Sequence, residues 1–162
     1  MRNASMPSMD AKLHFPFWRD LAMKKCFVML QSFVPSLIAI YFSYEQSFMV
    51  TLERQERFLF LLSDDEHVFL LFNDDGCGDM NALSVISIVP DDDKFVFSYD
   101  LRVLGTWGSL SLKTSAKKTR KWSEHCYPYG FLMVPHCFSS SFTRIKNVRN
   151  FCVNVCLSMQ QI

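Results

Sequence analysis

Histidines and cysteines are the residues of this sequence whose chemistry best suits metal binding. His125 is followed by Cys126 and His136 by Cys137, and imidazole and thiolate are both zinc ligands. Neighbouring residues of a strand point to opposite faces, so each pair can give only one ligand to a shared site. No C-x-x-C spacing accompanies these pairs. We therefore favour ordinary thiols in a reducing compartment, and we predict no cofactor.

Residues suited to nucleophilic or acid–base catalysis occur only as sequence neighbours. Ser123, Glu124 and His125 are adjacent, whereas a catalytic triad is assembled from positions that converge in space. Ser139–Ser141 lacks the G-x-S-x-G turn, and no calcium-binding loop of twelve residues begins at Asp91–Asp93. The sequence thus offers no catalytic constellation, and we assign no catalytic residue.

A basic stretch between residues 113 and 121 is the strongest candidate for electrostatic binding. Basic and aromatic residues together suit nucleic acid, but a net charge of +1 does not favour it. A solvated loop that contacts an acidic protein surface is the alternative, because opposite charges steer association. We predict partner binding, and no nucleic acid, for Lys117, Lys118, Arg120 and Lys121 of this stretch and for the neighbouring Trp122.

The sequence of 162 residues contains two oppositely charged stretches. Between Asp64 and Asp100 ten acidic residues accompany one basic residue, and from Leu101 onward nine basic residues accompany one acidic residue. Hydrophobic residues make up 49 % of the chain and sixteen residues are Phe, which excludes a disordered chain. The length fits one domain. A near-neutral total charge therefore conceals two surfaces that could each attract a partner.

An apolar segment, Cys26–Phe42, follows Lys24 and Lys25. A basic flank before an apolar run is typical of a membrane anchor, but this run is shorter than the ~20 residues of a transmembrane helix. It is also interrupted by Pro35. A membrane-anchored β-domain is therefore the alternative function, and a buried pair of strands is the simpler interpretation. We expect residues 1 to 47 to be poorly ordered or helical, and separate from a domain at 48–162.

From residue 48 onward, short apolar segments alternate with polar turns, which predicts an all-β fold. The clearest strand is Phe95–Leu104, in which large apolar residues alternate with polar ones. Gly105–Gly108 predicts a hairpin turn after it, and Phe151–Leu157 alternates in the same way. Phe131–Val134 is apolar at every position. We predict an antiparallel β-sandwich of about seven or eight strands.

Four segments of this region resemble the C-terminal domain of the seven-in-absentia (SINA) family of E3 ubiquitin ligases, in its plant type. FMVTLERQER at Phe48–Arg57 resembles the first strand of that domain, and FSYDLRV at Phe97–Val103 resembles the strand before its hairpin. Gly108–Phe138, which includes GFLMVPH, is similar to the hairpin and the segments that follow it. Asn154–Met159 is similar to the last strand. The resemblance covers about 110 residues, from Phe48 to the C-terminus.

The resemblance implies a TRAF-like sandwich that dimerises, with itself or with SINA-type proteins, and binds target proteins as extended peptides. In such a complex the peptide lies beside the early strands, so Phe48–Glu53 is the corresponding strand. Alternation favours Phe48, Val50 and Leu52 as core residues. The outward-facing Met49, Thr51 and Glu53 are then the candidates for contact with a peptide.

The sequence departs from the family in one respect. Family proteins carry a RING domain and zinc fingers ahead of the sandwich, whereas residues 1 to 47 contain only His14 and Cys26 as possible zinc ligands. We therefore expect a protein-interaction module in ubiquitin-dependent degradation, without ligase activity of its own. We expect it in the cytoplasm or nucleus, and not in a membrane.

Overall fold

The computed structural model confirms the all-β prediction and describes residues 39–54, 56–75, 78–89, 94–119, 128–138 and 150–162. The predicted N-terminal segment up to residue 38 lies outside the described residues. In the described part the chain forms ten strands and one short 3-10 helix, His136–Phe138. The strands are β1 Ala39–Phe42, β2 Phe48–Glu53, β3 Phe58–Ser63, β4 Val68–Asp74, β5 Met80–Ile88, β6 Phe95–Gly105, β7 Gly108–Ser115, β8 Lys117–Thr119, β9 Leu132–Pro135 and β10 Asn150–Gln161.

The strands form two sheets. One sheet has six strands in the order β1-β3-β4-β5-β8, with β9 also paired to β5, and the other has four in the order β2-β10-β6-β7. Most pairs are antiparallel as predicted, but β1 pairs with β3 and β8 with β5 in parallel. The prediction of seven or eight strands missed short strands such as β1 and β8, because three or four residues are too few to show a pattern.

The inner faces of the two sheets enclose one large hydrophobic core. In β6, Phe97, Tyr99, Leu101 and Val103 are buried, and the residues between them are more exposed. In β10 every second residue from Phe151–Leu157 is buried in the same way. Both strands therefore follow the predicted alternation, which is what an antiparallel sheet with one solvent-facing side requires.

The predicted hairpin is present between β6 and β7. Gly105 pairs with Gly108 across a loop of two residues, and Gly108 has a φ of 148°, which residues with a side chain rarely adopt. Gly105 has a different role, because a Cβ there would lie 2.5 Å from a ring carbon of Phe138. The hairpin base thus packs directly against the 3-10 helix.

The sandwich includes residues that precede the predicted domain start at residue 48. Strand β1 pairs with β3, and Phe42 is buried in the main core. The Phe42 ring stacks on Phe48 with a centroid distance of 5.5 Å. The predicted boundary between residues 47 and 48 therefore falls inside the sandwich, because the core takes side chains from both sides of it.

Candidate functional site

Strand β2 lies at the edge of the four-stranded sheet. It pairs with β10, from Phe48 opposite Val155 to Glu53 opposite Asn150. Among the described residues β10 is the only strand that pairs with β2. An edge strand presents main-chain N–H and C=O groups that have no strand partner on one side. This edge can therefore accept a further extended chain by main-chain hydrogen bonding.

The side chains of β2 alternate as predicted. Val50 and Leu52 are 2 % and 0 % exposed, whereas Met49 is 62 % exposed. Thr51 and Glu53 are also exposed. The three residues proposed from sequence to meet a partner thus point away from the core on one strand; that they bind one stays a prediction.

The outward side chains of β2 continue into a polar sheet face. Thr51 lies opposite Cys152, with 3.8 Å between its Oγ1 and the Cys152 Sγ. Met49 lies opposite Asn154, which in turn pairs with Arg102 of β6. A chain bound at the free edge of β2 would therefore meet the Thr51 hydroxyl and the Glu53 carboxylate beside one large apolar side chain, Met49, with the thiol and amide of β10 one strand further away.

Two buried asparagines hold the end of β2. The Asn73 Nδ2 lies 2.8 Å from the carbonyl oxygen of Glu56 and 3.2 Å from that of Glu53. The Asn81 Nδ2 donates to the Asn73 Oδ1 at 2.7 Å and lies 3.1 Å from the Arg54 carbonyl oxygen. Both asparagines belong to the six-stranded sheet, so they tie the turn after β2 across the sandwich.

No sequence pattern indicates this role for Asn73 and Asn81. The segment Asn73-Asp74-Asp75-Gly76 is typical of a turn, yet Asn73 is a strand residue that is 1 % exposed. Its carbonyl partners lie about twenty residues away along the chain. A tertiary contact of this kind leaves no local pattern that could have revealed it.

The same end of β2 carries two carboxylates. The Glu56 carboxylate lies 3.5 Å from the Glu53 main-chain nitrogen. Burial raises the pKa of Glu56; the hydrogen bond from the Glu53 N–H lowers it, and the negative charge of Glu53 raises it. A cationic side chain placed here would relieve the repulsion between Glu53 and Glu56. This end of the edge therefore favours a basic residue in a ligand.

The other end of β2 is also held in place. Residues 43–47 connect β1 in one sheet to β2 in the other, and the Glu45 N–H donates to the Leu157 carbonyl oxygen at 2.9 Å. The Tyr44 hydroxyl lies 3.0 Å from the Nδ1 of His67, and the Tyr44 ring stacks on Phe97. Contacts at both ends thus fix the edge strand before any ligand arrives, which reduces the entropy cost of binding.

In its described part, residues 113–119, the basic stretch lies mostly in strands and not in the loop predicted from sequence. Lys113 belongs to β7 and Lys117–Thr119 forms β8, so they lie in different sheets. The Lys118 Nζ lies 5.8 Å from the centroid of the buried Phe97 ring. Because adjacent strand residues face opposite ways, Lys117 and Lys118 do not share a surface. Arg120, Lys121 and Trp122 lie outside the described residues.

The candidates for metal and catalytic chemistry fall largely outside the described residues, among them Ser123–Cys126, Asp91–Asp93 and Ser139–Ser141. Three cysteines that are described, Cys137, Cys152 and Cys156, are free thiols. Among the described residues, no three His, Cys, Asp or Glu side chains are grouped so that they could hold a metal ion.

No helix within the described ranges has the length and apolar character needed to cross a bilayer. The last four residues of the apolar segment Cys26–Phe42 are strand β1, and its earlier residues lie outside the description. In comparisons with known proteins, no family model matches this chain and no curated protein matches it.

Proposed function

We propose that this chain is a protein-interaction module that binds target proteins as extended peptides along β2. The observation that carries the proposal is an edge strand held at both ends, with Met49, Thr51 and Glu53 exposed along it. Main-chain hydrogen bonds supply affinity in this binding mode, and side-chain contacts supply selectivity. The site requires no cofactor.

The side chains along β2 define the peptide that fits best. Met49 is flexible and apolar, so it accepts an aliphatic or aromatic side chain. Glu53 and Glu56 at the other end favour Lys or Arg. The preferred ligand is therefore an extended segment with an apolar residue near Met49 and a basic residue near Glu53.

The resemblance to SINA-type ligases supplies the biological setting of this proposal. The module would select targets for ubiquitin-dependent degradation in the cytoplasm or nucleus, as a homodimer or with a SINA-type partner. A RING-containing partner would supply the conjugation step. The two-sheet all-β fold supports this setting, because it is the architecture that the resemblance implies.

Peptide selection tests the binding mode. Extended peptides would be selected against the purified chain by display, and the Kd of the tightest would be measured by fluorescence anisotropy. We expect Met49→Lys and Thr51→Lys to weaken binding by roughly tenfold or more, because they change the chemistry of the edge. The control is Ser111→Lys, which should leave the Kd unchanged. Ser111 is an exposed residue of β7, at the opposite edge of the same sheet.

The same peptide with methyl groups on alternate main-chain amides tests strand addition directly. Two such peptides are made, one methylated at the even-numbered amides and one at the odd-numbered amides. Methylation of the amides that face β2 removes the N–H donors and should abolish binding, whereas methylation of the amides that face away should leave it intact. Equal binding of both methylated peptides would exclude strand addition. Co-precipitation with a full-length SINA-type ligase tests the setting, and lack of association in both directions would argue against it.

A further inference from the structure

A second exposed apolar surface lies where β5 meets β9. Met80 of β5 and Met133 of β9 are 39 % and 40 % exposed, and Phe131, which immediately precedes β9, is 39 % exposed. The sequence predicts a strand with two apolar faces here, but only Leu132 and Val134 are buried. We call Met80, Phe131 and Met133 the methionine corner.

The strand register places the two methionines side by side. Met80 pairs with Pro135, and Met133 pairs with Ala82. Paired residues of an antiparallel ladder share a face, as do residues two apart on one strand. Met80 and Met133 are therefore diagonal neighbours on the outward face of the six-stranded sheet, at about 7–8 Å between backbones.

Acidic residues border the methionine corner. Asp74 of β4 pairs with Ala82, which pairs with Met133, so the three residues form one row across the sheet. Asp75 and Asp79, on the connection from β4 to β5, are both exposed. Asp74, Asp75 and Asp79 thus place negative charge beside the corner, and negative charge attracts cations.

Exposed methionines beside carboxylates suit a particular kind of partner. Methionine is unbranched and polarisable, so it packs against varied apolar side chains. Apolar surfaces with polar rims mark interaction sites, and the acidic border selects for positive charge. We propose that the methionine corner binds a basic amphipathic segment of another protein, with its apolar side chains on Met80 and Met133 and its Lys or Arg residues beside Asp75 and Asp79.

Two designed peptides provide the test. One is an 18-residue amphipathic helix of Leu and Lys, and the other has Glu in place of Lys. We expect the full chain to bind the Leu–Lys peptide in fluorescence anisotropy and to reject the Leu–Glu peptide. The double variant Met80→Thr/Met133→Thr should weaken binding roughly tenfold. Asp75→Asn/Asp79→Asn should weaken it roughly threefold and reduce its salt dependence.

An exposed leucine of β6 provides a matched control. Leu104→Thr removes a similar apolar side chain from a surface that belongs to neither proposed site, so it should leave binding of the Leu–Lys peptide unchanged. Met49→Thr in the same assay reports any binding along β2, so failure of that proposal is distinguished from failure of the methionine corner. Circular dichroism of each variant checks that it folds.

Three outcomes would overturn the proposal: equal binding of both peptides, unchanged affinity of Met80→Thr/Met133→Thr, or a loss of affinity for Leu104→Thr as large as for that double variant. Sedimentation velocity measures whether the chain dimerises, and so tests whether a second copy of this chain occupies the corner. If the double variant turned a dimer into a monomer without changing peptide affinity, the corner would be a self-association surface instead.

Discussion

The two sheets of the sandwich differ in their outward faces. On the four-stranded sheet that face is polar, with Asn154 and Ser158 among the partly exposed residues of β10. On the six-stranded sheet a second hydrophobic cluster lies outside the main core, and its five members are at most 6 % exposed: Phe60, Leu62, Val68, Leu70 and Ile88. One sheet is thus buried on one side, and the other has buried apolar residues on both.

The sequence patterns reflect this difference. FLFLL in β3 and VFLLF in β4 are continuous apolar runs, as expected of strands covered on both faces. In β6 and β10 apolar and polar residues alternate. The difference indicates that the four-stranded sheet tolerates outward substitutions and can present a binding edge, whereas the buried outward cluster of the other sheet contributes to stability.

The largest expected effect concerns the outward face of the six-stranded sheet. Leu70→Ala should lower the free energy of unfolding by about 2–5 kcal/mol, because it removes a buried side chain and leaves a cavity. Asn154→Ala, on the outward face of the other sheet, should change it by less than about 0.5 kcal/mol. Urea denaturation measures both. Equal costs would contradict the difference between the two faces.

The next prediction concerns the link between the sheets. Asn73→Ala should cost about 2–3 kcal/mol, because it leaves part-buried carbonyl groups without their donor and removes one of the two acceptors of the Asn81 amide. It should also speed hydrogen exchange at the β2 amides more than at those of β7. If exchange rose equally in both edge strands, the asparagines would stabilise the fold without positioning the edge.

A smaller effect is expected at the hairpin base. Gly105→Ala should cost about 1–3 kcal/mol in thermal or urea unfolding, because the added methyl group would overlap the Phe138 ring. Gly130→Ala is the matched control, since its Cβ would meet only ordinary contacts at 3.8 and 3.9 Å. Indistinguishable variants would show that the contact between the hairpin and the 3-10 helix is loose.

The smallest effect is a dependence on pH at the end of β2. Burial raises the pKa of Glu56 in the folded state, so the folded state binds the proton more tightly than the unfolded chain does. Stability should therefore decline as pH rises from the ordinary pKa of a glutamate through the raised pKa of Glu56. Glu56→Gln should flatten this slope in Tm measurements from pH 4 to 7, while Glu45→Gln should not.

Long alternating strands could be predicted from sequence, and short or doubly buried elements could not. Phe95–Leu104 alternates over ten residues, so its faces follow from the pattern alone. Lys117–Thr119 has no apolar residue and joins a sheet only because β5 lies beside it. The outward positions of Met49, Thr51 and Glu53 were predictable, but the asparagines that hold their strand depend on contacts distant in sequence.

The order of strands has a consequence for biosynthesis. Strand β10 is the last strand described, yet it lies between β2 and β6 in the four-stranded sheet. Pairing of Met49 with Asn154 joins positions that a ribosome adds about a hundred residues apart. Such non-local pairing is slow, because a long loop must close first. During translation β2 therefore remains unpaired until β10 has been synthesised. A chaperone that shields β2 in this interval would prevent it from pairing with strands of other chains.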